Sequence, residues 1–370
     1  MRAPVRGKIL PRRIRLEAST VCQLQCPSCP TAAGKVRKTL GAGFLKLDDF
    51  KGIVDENPRV AEIELSNWGE IFLNPELIPI MRHAYRRNVA LRAGTGANLN
   101  TVSDDVLEAL AKYHFRTITC ALDGASQQTY AQYRRQGHFE NVIRNIRTIN
   151  RFKREYHSAY PVLRWQFVAF GHNEHEIGQA RKMAADLQME FWLKLSWEDL
   201  YSEPFSPIRD VDLIRRESGL GVASRREYWD KYGRAYLNLC AGMWTSPQVN
   251  YDGRLLGCSV NYWADYGNVF QEGLTACVNN ERIAAAREML MGRRVITDDM
   301  PCARCKVYRE REEHQDWVAE EDIADRHAPS RRRILLENKV LGPRVKRGLA
   351  CLWGQMRRPF RRTGFRGGRR

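Results

Sequence analysis

The chain has 370 residues, 43% of them apolar, and a net charge of +17, which allows two or three core-forming units of ordinary globular composition. No apolar run approaches the roughly 18 residues of a membrane span, and the basic start, Met1 to Arg15, lacks the apolar stretch of a signal peptide. A cytoplasmic protein is expected, so the ten cysteines point to metal rather than to disulfides, because that compartment keeps thiols reduced. After an N-terminal arm, residues 1–12, the segment 13–200 reads as repeated strand–helix units. Strands are predicted over 13–18, 61–66, 90–93, 116–122, 162–170 and 190–196. Helices are predicted over 47–56, 75–87, 104–113, 139–154 and 174–187, with apolar residues at three- and four-residue spacing such as Val106, Leu107, Leu110 and Ala111. Ser103-Asp104 and Asn173-Glu174 read as helix starts. Six strands alternating with helices imply a parallel sheet, and this length suits a partial (β/α)6 barrel. The second strand alternates Glu62, Glu64 and Ser66 with Ile63 and Leu65, so one face is polar and suits a wet barrel interior. Barrel sites gather at the C-terminal ends of the strands. Residues 201–238, with Pro204, Pro207 and many charges, read as a bridge. Residues 239–310 read as a small cysteine-rich α+β unit, and 311–370 as a basic tail.

Cys22, Cys26 and Cys29 lie in VCQLQCPSCP, directly after the first strand. Three thiolates on one loop can hold three irons of a [4Fe–4S] cube and leave the fourth open. An open iron can chelate the amino and carboxylate groups of S-adenosylmethionine (SAM). An electron from the cluster can then break the sulfonium C–S bond, giving methionine and a 5′-deoxyadenosyl radical. The radical chemistry belongs to the cofactor, and the protein orients and shields it. The alternative is a zinc knuckle, which needs a fourth ligand, and none lies near in the sequence.

This motif and those that follow it resemble the radical SAM superfamily, and its subgroup with a C-terminal SPASM or Twitch domain, over residues 12–310 or so. NWGEIFLNPEL, residues 67–77, is similar to the family's GGEP motif, with Gly69 and Glu70 matching and Trp68 and Ile71 departing. The resemblance implies that this backbone and its acidic residue engage the SAM amino group. TGANLN, residues 95–100, sits where the family contacts the ribose, with Asn98 as the substitute for the usual asparagine. ALDG, residues 121–124, corresponds to SLDG, with Ala121 in place of serine. YRRQGHFENVIRNI, residues 133–146, matches the following helix signature and implies that Arg134 reaches the SAM carboxylate through a charge-assisted hydrogen bond.

Cys240, Cys258, Cys302 and Cys305 form a second set, in which Asp252-Gly253 marks a hairpin turn and PCARC closes the pattern. The arrangement resembles a Twitch domain and implies one auxiliary [4Fe–4S] cluster held by four cysteines. Spacing leaves a structural zinc site with the same ligands open. Of the other cysteines, Cys120 reads as a core thiol facing the helices, Cys277 as a buried hydrophobe and Cys351 as a bystander in the tail.

Residues 331–370 hold fourteen Lys/Arg and one acid, Glu337, which is +13 of the +17. Such a tail fits an anionic membrane surface, single-stranded nucleic acid or plain solvation. The expectation is therefore an oxidoreductase or isomerase that cleaves SAM and abstracts a hydrogen atom from a small polar substrate, such as a sugar, aminocyclitol or glycoside. Lys194, Ser196 and Glu198, at the end of the sixth strand, are the candidates for substrate contact. The resemblance also implies a reducing partner such as flavodoxin or ferredoxin. A maturase acting on a peptide or protein is the rival within enzymes. A zinc-containing nucleic-acid-binding protein is the rival outside them, although nucleic acid is not the expected partner.

Overall fold

A computed structural model describes residues 8–197, 205–324 and 329–339. One eight-stranded sheet organises them, in the order β6-β5-β4-β3-β2-β1-β7-β8. The strands are β1 (Arg13–Leu16), β2 (Glu62–Glu64), β3 (Ala90–Ala97), β4 (Thr117–Ala121), β5 (Val162–Val168), β6 (Glu190–Lys194), β7 (Gln248–Val249) and β8 (Leu255–Gly257). β1 to β6 pair in parallel, each with its chain neighbour. They form the expected partial barrel, because each crossover carries a helix that returns the chain to the same edge.

Seven helices serve these crossovers. They are α1 (Lys35–Leu40), α2 (Leu47–Glu56), α3 (Leu77–Arg86), α4 (Asp104–Lys112), α5 (Gln127–Tyr133), α6 (Phe139–Glu155) and α7 (Ile177–Asp186). α2, α3, α4 and α6 fall on predicted helices, and α7 follows a 3-10 turn at Glu174–Glu176. Their apolar stripes close on one core with the outward faces of the strands, through residues such as Phe50, Ile80, Leu110, Ile146, Trp165 and Phe167. The period of two in β5 sends Leu163, Trp165 and Phe167 into that core and leaves Gln166 and Val168 for the barrel interior.

Three features depart from the sequence expectation. First, the cysteine-rich unit continues the barrel sheet: β7 pairs in parallel with β1, and β8 turns back on β7. Second, the bridge is partly helical, with Val211–Glu217 capped by Asp210 and Arg225–Tyr232 capped by Ser224. Each buries a single residue, Ile214 or Tyr228, too little to leave an apolar period in the sequence. Third, the folded body passes residue 310. The helix Lys306–Glu313 spans that boundary and buries Arg311, which pairs with Asp316 at 3.4 Å. A further helix, Arg331–Lys339, packs under the barrel: Ile334 joins Ala61 and Ala90, and Arg331 donates to the carbonyls of Val54, Asn57 and Val60. The tail from residue 340 onward, with Cys351, lies outside the described residues, as do Glu198 and residues 1–7. No helix among the described residues is long and apolar enough to cross a membrane.

Candidate functional site

The first cysteine set lies on the loop between β1 and α1. The Cys29 amide donates to the Cys26 carbonyl at 3.1 Å, and the Gln25 amide to the Arg135 carbonyl at 3.1 Å. These bonds fold the loop back on itself and fix it against the segment after α5. All three thiols are free. Burial pushes the Cys22 thiol up to about 12, with Glu70 and then Cys26 and Cys29 adding to the effect. Burial pushes Cys26 up to about 11 against the pull of Arg134, and Cys29 adds to it. The three thiols share one loop, as a common ligand set requires.

Beneath the loop, carboxylates organise backbone. Glu17 is buried and accepts the amides of Asn67, Trp68 and Gly69 at 3.1–3.3 Å. Burial drives its carboxyl up to about 8, against those three bonds and Arg15. Gly69 sits hard against β1's exit. A Cβ there would come 2.2 Å from the Ser19 carbonyl oxygen, so no other residue fits. Glu70 turns away from the barrel interior and accepts the amides of Phe72 and Asn98. The Asn98 side chain bonds Gln23 and lies 3.8 Å from the Cys22 sulfur. Gly69, Glu70 and Asn98 therefore brace the loop and the end of β3.

Arg134 does stand at the cysteines. Its Nη1 is 3.6 Å from the Cys26 sulfur, while Nε and Nη2 clasp Asp123 at 2.7 and 2.6 Å. Asp123 is fully buried and also accepts the Val168 amide.

These elements enclose a cavity of about 340 Å3 at the C-terminal ends of the strands. Cys26 and Cys29 form one wall, Gln166, Lys194 and Ser196 another, and Ser259 and Val260 of the cysteine-rich unit a third. A bulge in β3, between Ala93 and Ala97, turns Gly94 and Thr95 into it. Two of the three predicted contact residues, Lys194 and Ser196, thus meet the cysteines in one space. The third, Glu198, lies outside the described residues.

Lys194 is 5% exposed and donates to Gln166 Oε1 at 3.0 Å. Its Nζ is 5.1 Å from the ring centroids of both Trp192 and Trp197. Burial first, then Arg225, pulls its pKa down to about 7, with Arg134 and Arg15 contributing and Asp123 opposing. Because the folded value lies below the unfolded 10.5, folding sheds a proton between about pH 7 and 10.5. Stability from this group rises with pH across that window and is lost as pH falls through 7. Lys194→Met should therefore be most stabilising near pH 7, on the order of 1 kcal/mol or more, and its advantage should shrink by pH 9. Denaturant melts of both proteins, compared as a difference, check this; a gap that does not vary with pH would refute the buried ammonium.

The second set gathers around the hairpin β7–β8. Gly253 in its turn has φ +90, and a Cβ there would come 2.3 Å from Asn268 Oδ1. Burial raises the Cys240 thiol, Arg311 opposes, and Cys258, Cys305 and Cys302 add to it. Cys258 also senses Arg15, and its chain neighbour Ser259 lines the cavity. Cys120 and Cys277 are fully buried in the core. Among the described residues, no three side chains converge as a single-ion site. The chemistry of both donor sets, free thiols grouped on a loop, on a hairpin and on a CxxC turn, fits iron–sulfur ligation.

Arg15, Gln166, Trp192 and Glu17 are absent from the sequence-derived set. For Arg15 and Glu17 the signal was present, since Arg13, Arg15 and Glu17 share the period of two that marks β2's polar face. The site partners of Glu17 and Asp123 are backbone amides and a distant arginine, which no local pattern shows.

Compared with known proteins, residues 16–176 match the radical SAM superfamily. The fold is similar to that of Streptococcus suis SuiB bound to S-adenosylmethionine, at 13% identity and TM-score 0.56, covering 81% of this chain and 71% of SuiB. It is equally similar to S. suis SuiB bound to the precursor peptide SuiA, at 13% identity and TM-score 0.57, covering 81% and 70%. At that identity the likeness shows a shared fold. No curated protein matches the chain.

Proposed function

This chain is a radical SAM superfamily member through residues 16–176, and on that premise we propose that it dehydrogenates a small polar substrate in the cavity at the barrel mouth. The observation that carries the reading is the shared cavity: Cys26 and Cys29 face it from one side and Ser259, next to Cys258, from another. Cys22, Cys26 and Cys29 would hold the SAM-binding [4Fe–4S] cluster, and Cys240, Cys258, Cys302 and Cys305 an auxiliary one. Together with SAM, the first cluster supplies a 5′-deoxyadenosyl radical able to take a hydrogen atom from carbon. Arg134 places a positive charge beside Cys26. Gly69, Glu70 and Asn98 hold the surrounding backbone in place for SAM. Tyr133, Phe170 and Trp192 exclude water, and Lys194 and Ser196 contact the substrate from β6. Dehydrogenation is favoured over epimerisation because Ser259 and Leu239, chain neighbours of Cys258 and Cys240, line the cavity, so that an auxiliary cluster on those cysteines would be near enough to accept an electron. The initiating electron comes from a reducing partner of the flavodoxin or ferredoxin class. A peptide substrate is the second reading, since the similarly folded SuiB is seen with a precursor peptide.

Anaerobically reconstituted protein should contain about eight iron and eight sulfide per chain, and a Cys302→Ala/Cys305→Ala variant about four of each. Zinc in place of the second four irons would remove the auxiliary cluster and with it the argument for dehydrogenation.

A further inference from the structure

The described part of the cavity wall carries charge of one sign. Among the described residues lining it, Arg15, Arg134 and Lys194 are cationic, and none is Asp or Glu. Among the described residues, the carboxylates near the cavity are engaged by other groups. Glu17 holds the amides of residues 67–69, and Glu64 takes the Gly94 amide and the Ser66 hydroxyl. Glu70 takes two amides, and Asp123 is clasped by Arg134. Among the described residues, that leaves two cations, Arg15 and Lys194, with no carboxylate in direct hydrogen-bond contact. Arg15 on β1 donates only to neutral acceptors, Gln248 Oε1, the Ser66 carbonyl, Asn67 Oδ1 and Thr95 Oγ1. Lys194 on β6 donates to Gln166 Oε1, which uses one of an ammonium's three protons. Behind it, Arg225 stacks on Trp197 at 3.5 Å and adds a further positive charge.

Burying an ammonium without a counter-ion is costly. An arrangement that does so at the wall of a cavity is matched by a ligand that brings the missing charge. We propose that the substrate carries an anionic group, a carboxylate or a phosphoryl, held by Lys194 with Arg15 supporting it. The proposal deepens, and rests on, the reading of this cavity as the substrate site. It favours anionic substrates over aminocyclitols, whose ammonium groups have the wrong sign for these cations. Sugar acids, sugar phosphates and the carboxylate side chains or terminus of a peptide all fit. Trp192 and Trp197 flank Lys194 and lower the local dielectric, which strengthens the pairing once the anion is in place.

The test titrates reconstituted protein, with SAM present, with malonate and with inorganic phosphate, by calorimetry. Glycerol and ethylenediamine serve as neutral and cationic controls. Saturable binding of malonate or phosphate is expected, with the tighter of the two naming the carboxylate or the phosphoryl class. Lys194→Met should weaken it about tenfold or more, while Lys194→Arg, which keeps the charge, should stay close to wild type. Lys194→Gln gives the same reading should the methionine variant misfold. Anion binding that is indifferent to Lys194 would overturn the proposal, as would preference for ethylenediamine. Loss of anion binding when SAM is added would assign these cations to the SAM carboxylate instead and would also overturn it. The measurement involves no turnover, so failure of the wild-type protein to cleave SAM would defeat the radical reading while leaving the calorimetry to decide this one.

Discussion

Replacing Cys26 with alanine should abolish reductive cleavage of SAM, with 5′-deoxyadenosine formation falling by about three orders of magnitude or more, since the loss removes a cofactor site rather than weakening a contact. Cys26 is the most buried of the three loop thiols, at 6% exposure, and the one that Arg134 touches. Two remaining thiolates cannot hold three irons of the cube and leave a defined fourth. The variant also strands Arg134, whose charge is then balanced by Asp123 alone. Cys120→Ala is the control. That thiol is sealed from solvent more completely, at 0% exposure, but sits in the apolar core behind β4, so its removal should cost about 1 kcal/mol of stability and leave cleavage intact. Product is read by chromatography after reduction in the presence of SAM, alongside iron content. Retained cleavage in the Cys26 variant would remove the first cysteine set from the mechanism.

How much of this was legible in the sequence follows from which interactions are local. The six barrel strands and helices such as Leu47–Glu56 and Phe139–Glu155 carry their own period, and the structure reproduces them within a few residues. Helices Lys35–Leu40 and Gln127–Tyr133 were missed because six or seven residues span barely two turns. Gln127–Tyr133 does carry a readable start, Ser126 accepting the Thr129 amide, but the run QQTYAQY has no apolar face to accompany it. The pairing of β7 with β1 joins residues 233 apart, Arg15 and Gln248, and nothing in either short strand names its partner. For the same reason the one-signed wall was hidden. The sequence shows Glu62, Glu64 and Ser66 alternating into the barrel and so promises a mixed, wet interior. Only the fold shows that Glu62 is engaged by Arg13 and Arg92, and Glu64 by the Gly94 amide and Ser66.

Two truncations separate the folded part of the C-terminal segment from its charge, and they should behave oppositely. Ending the chain after Lys339 removes residues 340–370, which hold ten Lys/Arg and no acid, and touches none of the described contacts. Ending it after Ser330 also removes the helix Arg331–Lys339. Ile334, 2% exposed, then no longer covers Ala61 and Ala90. Arg116, itself 7% exposed, loses Asn338 at 2.8 Å and Glu337 at 3.5 Å, keeping its stacking on Tyr160 at 4.2 Å. Burial of one isoleucine side chain is worth about 1.5–3 kcal/mol, and a buried hydrogen bond to a charged group about 1.5–3 kcal/mol. The shorter chain should therefore be less stable by about 3 kcal/mol or more in denaturant melts, while the chain ending at Lys339 should melt as the full protein does. If the tail serves an anionic membrane, the Lys339 truncation alone should lose salt-sensitive binding to phosphatidylserine vesicles, because each basic residue near such a surface contributes about 1 kcal/mol. It should keep SAM cleavage at the full rate, since every cysteine of both sets and every cavity residue remains. Vesicle binding that survives this truncation would remove the membrane from the account. Equal stability of the two truncations would show that the helix beneath the barrel contributes nothing to the fold.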